Sequence, residues 1–112
     1  FFENYSEAIK VLEKNLNFFK DNKNFKIFKF DCFEFFESNK EISKKFDIIF
    51  LDPPYKELRI NKLIEKIIQK KILKNDGLII IHRHKKDKLE ISKKLKVLDV
   101  RNYGISKVYF LN

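Results

Sequence analysis

The sequence predicts an α/β fold, a three-layer sandwich built on a mostly parallel sheet with an antiparallel C-terminal strand. Continuous apolar runs at 46–51 and 78–82 are typical of strands buried on both faces of a parallel sheet. Apolar residues recur at helical spacing between these runs, which indicates a βαβ crossover. Alternating segments joined at Asn102-Tyr103-Gly104 predict a final hairpin. Because 112 residues suffice for about one small domain, we expect a single domain over 1–112.

The N-terminal third predicts the end of a strand, a helix, a strand over 25–31 and a short helix over 32–39. We expect Asn4 to cap the first helix, because Glu7 completes the spacing of a capping box. The apolar stripe of this helix comprises Tyr5, Ala8, Ile9, Leu12, Leu16 and Phe19.

The remainder predicts a second amphipathic helix over 57–73, directly after the strand at 46–51 and its two prolines. Gly77 is predicted to supply the left-handed residue that ends this helix or its turn. The strand at 78–82 follows, and then the terminal pair.

Composition leaves the binding partner open. The net charge of +9 suits a polyanion, but the 22 Lys and 3 Arg accompany a bias towards Ile, Asn and Phe that an AT-rich genome would also produce. The single cysteine excludes an internal disulfide and fits a reducing compartment. No apolar run reaches a membrane span and no signal-peptide pattern is visible, so a cytoplasmic protein is expected.

Polar residues follow the predicted strands at their carboxyl ends, where ligands bind in open α/β sheets. These residues are Glu3, Asp31, Asp52 and His82. Each acid taken singly could simply cap the next helix. Three acids at successive strand ends favour one shared polar site over three unrelated caps.

The segment Asp52-Pro53-Pro54-Tyr55 is the most specific signal in the sequence. Two prolines stiffen the exit from the strand and offer no N–H to the loop. Asp52 and nearby carbonyls then remain as acceptors, while Tyr55 presents a ring. Acceptors beside a ring suit an exocyclic amino group on a planar base. A Pro-Pro turn that merely starts the helix is the alternative.

At these residues the sequence resembles a known family. "FDIIFLDPPY" is similar to motif IV of the S-adenosylmethionine-dependent amino-methyltransferases. Together with "FFENYSEAIKVLEKNL", "DGLIIIH" and "RNYGISKVYFL", it follows the order of the RsmD-like family, the bacterial 16S ribosomal RNA guanine-N2 methyltransferases. The resemblance implies a Rossmann-like methyltransferase fold, S-adenosylmethionine as cofactor and the small ribosomal subunit as partner. We expect a monomer.

The resemblance also implies roles for individual residues. Glu3 would bind the cofactor ribose, and Asp31 its adenine amino group beside the Cys32 amide. Asp52, Pro53, Pro54 and Tyr55 would hold the target guanine, with Asp52 also adjoining the cofactor.

One feature of the family is missing. These enzymes carry a glycine-rich loop after their first strand, whereas this chain has only Gly77 and Gly104. We therefore expect the C-terminal portion of an enzyme, without its first strand, that alone binds cofactor weakly or not at all.

The segment "HRHKKDK" over 82–88 lacks a complete set of zinc ligands, so we predict no metal. We expect Arg83, Lys85, Lys86 and Lys88 to lie in a loop, where they contact RNA phosphates or are merely solvated. Two other functions stay open: N6-adenine methylation of DNA, and a non-catalytic nucleic-acid-binding module.

Overall fold

The computed structural model describes residues 1–19, 24–38 and 41–112. The chain divides into two compact units, 1–40 and 41–112, and each is described by itself. The prediction of one domain stays a prediction.

The first unit contains helix α1 (Ser6–Leu16), a 3₁₀ turn (Asn17–Phe19) and helix α2 (Cys32–Glu37). Helix α2 confirms the predicted short helix as far as Glu37, and residue 39 lies outside the described residues. The predicted strand over 25–31 is wrong in extent, because among the described residues its pairing is confined to one parallel bridge between Phe2 and Phe28. Two backbone hydrogen bonds support that bridge, from Glu3 N to Phe28 O (3.1 Å) and from Phe28 N to Phe1 O (2.8 Å).

Phenylalanine rings form the core of this unit. Phe2 stacks on Phe28 with ring centroids 4.8 Å apart and meets Phe35 at 4.9 Å. Phe33, Phe35 and Phe36 of α2 are buried. Such ring pairs add about 0.5–1.5 kcal/mol to the burial of their apolar area.

Helix α1 departs from its predicted start and stripe. It begins at Ser6, so Tyr5 occupies the N-cap position and makes no side-chain cap. The predicted capping box is wrong because Asn4 lies one residue too early, and Glu7 instead accepts from Ser6 Oγ (2.8 Å). Ile9 is the buried member of the stripe, whereas Tyr5 and Phe19 are exposed.

The second unit is a four-stranded sheet with one helix. Its elements are strand β1 (Phe46–Leu51), helix α3 (Ile60–Gln69), and strands β2 (Leu73–His84), β3 (Val97–Tyr103) and β4 (Ser106–Leu111). The order in the sheet is β1-β2-β4-β3. Strands β1 and β2 are parallel, whereas β4 is antiparallel to β2 and to β3. The predicted C-terminal hairpin is confirmed, with Gly104 at φ 58° in its turn.

Alternate residues of β2 form the centre of the core in this unit. Ile79 and Ile81 are fully buried, as is Leu111 of β4. The crossover helix α3 supplies a matching buried stripe that includes Ile60 and Ile64. Full burial of one such side chain stabilises the fold by about 1.5–3 kcal/mol.

Strand β1 is not the doubly buried strand that its apolar run predicts. Ile48 and Phe50 are each 60% exposed. Among the described residues β1 pairs only with β2, so it forms one edge of the sheet. Its apolar side chains therefore lack the cover that a central strand receives.

The boundaries of α3 and β2 also differ from prediction. The helix spans 60–69 rather than 57–73, and Lys71, at φ 50°, provides the left-handed residue after it. Gly77 does not end the helix, because β2 already begins at Leu73 and continues through Gly77 to His84. A Cβ on Gly77 would lie 2.7 Å from Leu73 Cδ1, so close packing explains the glycine.

Candidate active site

The carboxylate of Asp52 is hydrogen bonded to His82 across the parallel strand pair. Leu51, the last residue of β1, pairs with Ile81 of β2. The residues that follow these two, Asp52 and His82, therefore lie side by side. His82 Nδ1 and Asp52 Oδ1 are 2.7 Å apart. The Asp52 side chain is 55% exposed and that of His82 is 26% exposed. Asp52 is thus an oriented and accessible acceptor at the end of β1.

Tyr55 presents an accessible ring beside His82 and His84 of β2. It is 50% exposed. Its ring meets His84 edge-on at 5.4 Å between centroids, and His82 at 6.4 Å. His82 and His84 lie two apart on β2 and therefore point to one side of the sheet. The predicted acceptor and ring are brought together by this strand.

The loop between Asp52 and α3 uses only some of its carbonyls internally. Pro54 O accepts from Glu57 N (3.2 Å) and from Arg83 Nη1 (3.3 Å). Pro53 O accepts no hydrogen bond from any described residue. The expectation that nearby carbonyls remain available is therefore wrong for Pro54, whose oxygen the fold already occupies.

Glu57 is a charged anchor just before α3, and no motif in the sequence pointed to it. Its carboxylate accepts from Arg59 Nη2 (2.8 Å), Nε (3.0 Å) and the backbone N (2.9 Å). The hydrogen bonds from Arg59 lower the pKa of Glu57 to about 2, despite the opposing effect of burial. Glu57 therefore stays ionised and fixes the approach of the loop to the helix.

The basic segment divides into one buried and three exposed cations. The prediction that Arg83 lies in a loop is wrong: it belongs to β2, is 1% exposed and bonds to the Asp52–Glu57 loop. Its burial argues against direct contact with a phosphate. Lys85, Lys86 and Lys88 are exposed after the strand, and their contact with RNA stays a prediction.

In the first unit, two predicted cofactor acids follow neighbouring parallel segments. Glu3 Oε1 accepts from the amides of Asn4 and Tyr5, both at 2.9 Å. Asp31 Oδ1 accepts from Phe33 N (2.7 Å) and caps α2, as the capping alternative predicts. Cys32 is the half-buried first residue of that helix.

The structure thus places the predicted residues in two groups, one in each unit. Asp52, Pro53, Pro54 and Tyr55 form one loop, and Glu3, Asp31 and Cys32 lie in the unit of residues 1–40. Sequence reasoning missed Asp87, which bonds to the same loop. Its position four residues after Arg83 was the available signal.

Two further properties concern the described residues only. Within 1–19, 24–38 and 41–112, no cluster of three or more His, Cys, Asp or Glu side chains could hold a metal ion. No helix in these ranges has the length and apolar character needed to cross a bilayer.

The chain belongs to the family described as "Conserved hypothetical protein 95", whose model matches residues 1–112. This is an RsmD-like methylase family, so the resemblance found in the sequence is confirmed.

Known proteins of similar sequence and structure support this placement. An uncharacterized methylase of Rickettsia prowazekii (strain Madrid E) is 33% identical over 69 residues, 62% of this chain. A conserved hypothetical protein from Streptococcus pyogenes is 27% identical, with a TM-score of 0.84 over 98% of the chain. A proposed methylase from Haemophilus influenzae is 22% identical, with a TM-score of 0.82 over 99% of the chain. The latter likeness shows the fold alone, a Rossmann-like methyltransferase fold.

The chain spans only part of these relatives. The match covers 29% of the Rickettsia protein, 68% of the Streptococcus protein and 69% of the Haemophilus protein.

Proposed function

We propose that this protein transfers a methyl group from S-adenosylmethionine to the exocyclic N2 amino group of a guanine in 16S ribosomal RNA. The observation that carries the proposal is the loop after β1, where His82 orients the Asp52 carboxylate beside the accessible ring of Tyr55. Membership of a methylase family supports the reaction class.

The donors and acceptors of the first unit fit the cofactor chemically. Ribose hydroxyls and the adenine amino group both donate hydrogen bonds, and Glu3 and Asp31 are acceptors that follow the two bridged segments around Phe2 and Phe28. The hydrogen bonds that described residues make to Glu3 end on Oε1, so Oε2 can accept from a ribose hydroxyl. S-adenosylmethionine, when bound, supplies an electrophilic methyl group.

The second unit would hold and activate the base. A guanine amino nitrogen shares its lone pair with the ring and is a poor nucleophile. Hydrogen bonds from this group to Asp52 and to Pro53 O would localise the lone pair on nitrogen. The Asp52 charge would also stabilise the positive charge that develops on nitrogen during attack. His82 restrains the carboxylate in advance, so less reorganisation accompanies the reaction.

Tyr55 would stack on the base and complete its alignment. Base–aromatic stacking contributes about 1–3 kcal/mol per base. The two prolines limit the conformations of the loop, so the ring and the acceptors keep one relative geometry. Such alignment lowers the entropic part of the barrier.

The test is methyl transfer by the full-length gene product. Small subunits and 16S rRNA from a strain lacking the gene are incubated with methyl-labelled S-adenosylmethionine, and the digested nucleosides are identified by mass spectrometry. The expected product is N2-methylguanosine, lost in Asp52→Ala. The same assay on DNA controls for N6-methyladenine as the product. Nucleic-acid binding with no transfer, and no response to cofactor, would instead identify a binding module.

A further inference from the structure

Arg83 and Asp87 form a buried ion pair that the proposed chemistry does not use. Arg83 is 1% exposed, the Asp87 side chain is 9% exposed, and Nη2 lies 3.2 Å from Oδ2. Burying two charges is costly, and apolar residues of similar volume often serve stability as well.

Arg83 and Asp87 bind the backbone of the Asp52–Glu57 loop at three points. Arg83 donates to Pro54 O (3.3 Å) and to Glu57 O (3.1 Å). Asp87 Oδ2 accepts from Lys56 N (3.1 Å). Lys56 has φ 65°, a left-handed conformation that a side chain disfavours and that persists only where its surroundings impose it. We call Arg83 and Asp87 the clasp.

Two of the bound groups flank Tyr55 directly, since Pro54 precedes it and Lys56 follows it. Two residues of β2 contact Tyr55 and its neighbours from opposite faces of the sheet. Arg83 holds the loop backbone from the buried face, while His84 contacts the Tyr55 ring from the other face. Tyr55 is half exposed, so its position depends on these contacts and not on burial.

We infer that the clasp is a positioning pair, which sets the backbone on either side of Tyr55 and thereby the place of the ring that receives the base. The inference rests on the proposed function for its catalytic consequence. Arg83 and Asp87 touch no substrate in this account, and they act through Tyr55.

The experiment compares two variants of the full-length protein with wild type. Asp87→Asn weakens the pair with little change of shape, and Arg83→Met/Asp87→Leu replaces both charges by apolar side chains that suit burial. Asp99→Asn is the matched control, because it breaks the exposed Asp99–Arg101 pair of β3, 2.7 Å long, away from the loop. Thermal melting selects the variants that fold.

In the folded clasp variants we expect kcat for methyl transfer to fall about 10- to 100-fold, while the KM for S-adenosylmethionine changes by less than about threefold. The Lys56 amide should exchange with solvent faster. In a Tyr55→Ala background the double substitution should lower kcat by less than about threefold more, because both changes remove the same contact. Asp99→Asn should leave kcat, the KM for S-adenosylmethionine and the amide exchange of Lys56 unchanged.

A folded double variant with wild-type kcat and wild-type exchange at Lys56 would overturn the inference. So would a kcat loss of equal size with and without Tyr55, which would mark a merely structural pair. If the wild-type protein transfers no methyl group, the proposed function fails by itself. Amide exchange at Lys56 then tests whether the clasp positions the backbone around Tyr55. Faster exchange in the clasp variants supports this role, and unchanged exchange refutes it.

Discussion

His82 Nδ1 lies 2.7 Å from Asp52 Oδ1, and this contact joins the residue that follows β1 to the neighbouring parallel strand β2. The hydrogen bond fixes one oxygen of the carboxylate and leaves the other for a substrate donor. Asp52 is 55% exposed at its side chain, so the second oxygen is accessible. The contact explains how an acid at an exposed strand end keeps one orientation.

Removing the histidine should therefore affect catalysis more than cofactor binding. We expect His82→Ala to lower kcat for methyl transfer about tenfold, because Asp52 then samples other rotamers. The Kd for S-adenosylmethionine, measured by calorimetry, should change little. His82→Asn, whose amide can still reach Asp52, should retain more activity than His82→Ala. Equal kcat in the two variants would contradict the orienting role.

Removing the hydroxyl of Tyr55 should have a different effect from removing its ring. Tyr55→Phe should keep most of the activity, since stacking requires the ring alone. Tyr55→Ala should weaken the productive RNA complex by about 1–3 kcal/mol. Steady-state kinetics with rRNA as the varied substrate measures both variants. A larger loss in Tyr55→Phe than in Tyr55→Ala would contradict the stacking role.

Glu57 makes the stability of the second unit depend on pH. Its pKa is about 2 in the folded protein because Arg59 donates to it, against an ordinary value of 4.5. A lowered folded-state pKa contributes stability above pH 4.5, and this contribution is lost as the pH falls towards 2. Glu57→Gln should thus cost about 1 kcal/mol near pH 6, allowing for the screening of half-exposed Arg59, and little at pH 2.

Urea unfolding of wild type and variant at a series of pH values tests this expectation. Glu65→Gln, the same substitution within α3, controls for the loss of one negative charge. A destabilisation by Glu57→Gln that is equal at pH 6 and pH 2 would exclude the Arg59 contact as its cause.

The two glycines should differ in their tolerance of a side chain. At Gly77 a Cβ would lie 2.7 Å from Leu73 Cδ1 and 2.9 Å from Lys74 O, and a backbone oxygen yields little. We expect Gly77→Ala to cost about 1–3 kcal/mol of unfolding free energy. Gly104 at φ 58° has open space around it, so Gly104→Ala should cost about 1–2 kcal/mol through conformation alone.

Substitution by asparagine distinguishes close packing at Gly77 from backbone conformation at Gly104. It tolerates the left-handed region, so Gly104→Asn should be nearly neutral, whereas Gly77→Asn should be at least as harmful as Gly77→Ala. Denaturant unfolding provides the four values. A Gly77→Asn variant as stable as wild type would refute the packing explanation for Gly77.

The exposed lysines after β2 supply a prediction about RNA. Replacing Lys85, Lys86 and Lys88 by Gln should weaken rRNA binding and reduce its salt dependence, by up to about 0.7 in slope for each lost phosphate contact. Lys10, Lys14 and Lys62, exposed on α1 and α3, form a control of equal charge. Equal effects of the two triple substitutions would show that net charge alone attracts the RNA.

Local chemistry made several features predictable from the sequence. Asp31 caps α2 because an aspartate before a helix accepts from its first amides, and Gly104 turns the hairpin because it tolerates positive φ. Asp-Pro-Pro-Tyr was recognisable because prolines restrict the backbone whatever surrounds them. These features depend on residues close together in the chain.

The remaining features depend on distant partners. The apolar run of β1 does not reveal that its strand lies at an edge, and Lys71 gave no sign that it would take the left-handed position expected of Gly77. Arg83 is indistinguishable in sequence from a solvated cation, because its burial follows from carbonyls about 26 to 29 residues away. Tertiary contacts override local preference at these sites.

The most direct test of the account is the product formed on 16S rRNA by the full-length protein and by its Asp52→Ala variant. Mass spectrometry of rRNA from a strain lacking the gene, after incubation with protein and S-adenosylmethionine, should show N2-methylguanosine with wild type. With Asp52→Ala the yield should fall by about 100-fold or more. A wild-type reaction without any methylated guanine, or one that Asp52→Ala leaves intact, would contradict the account.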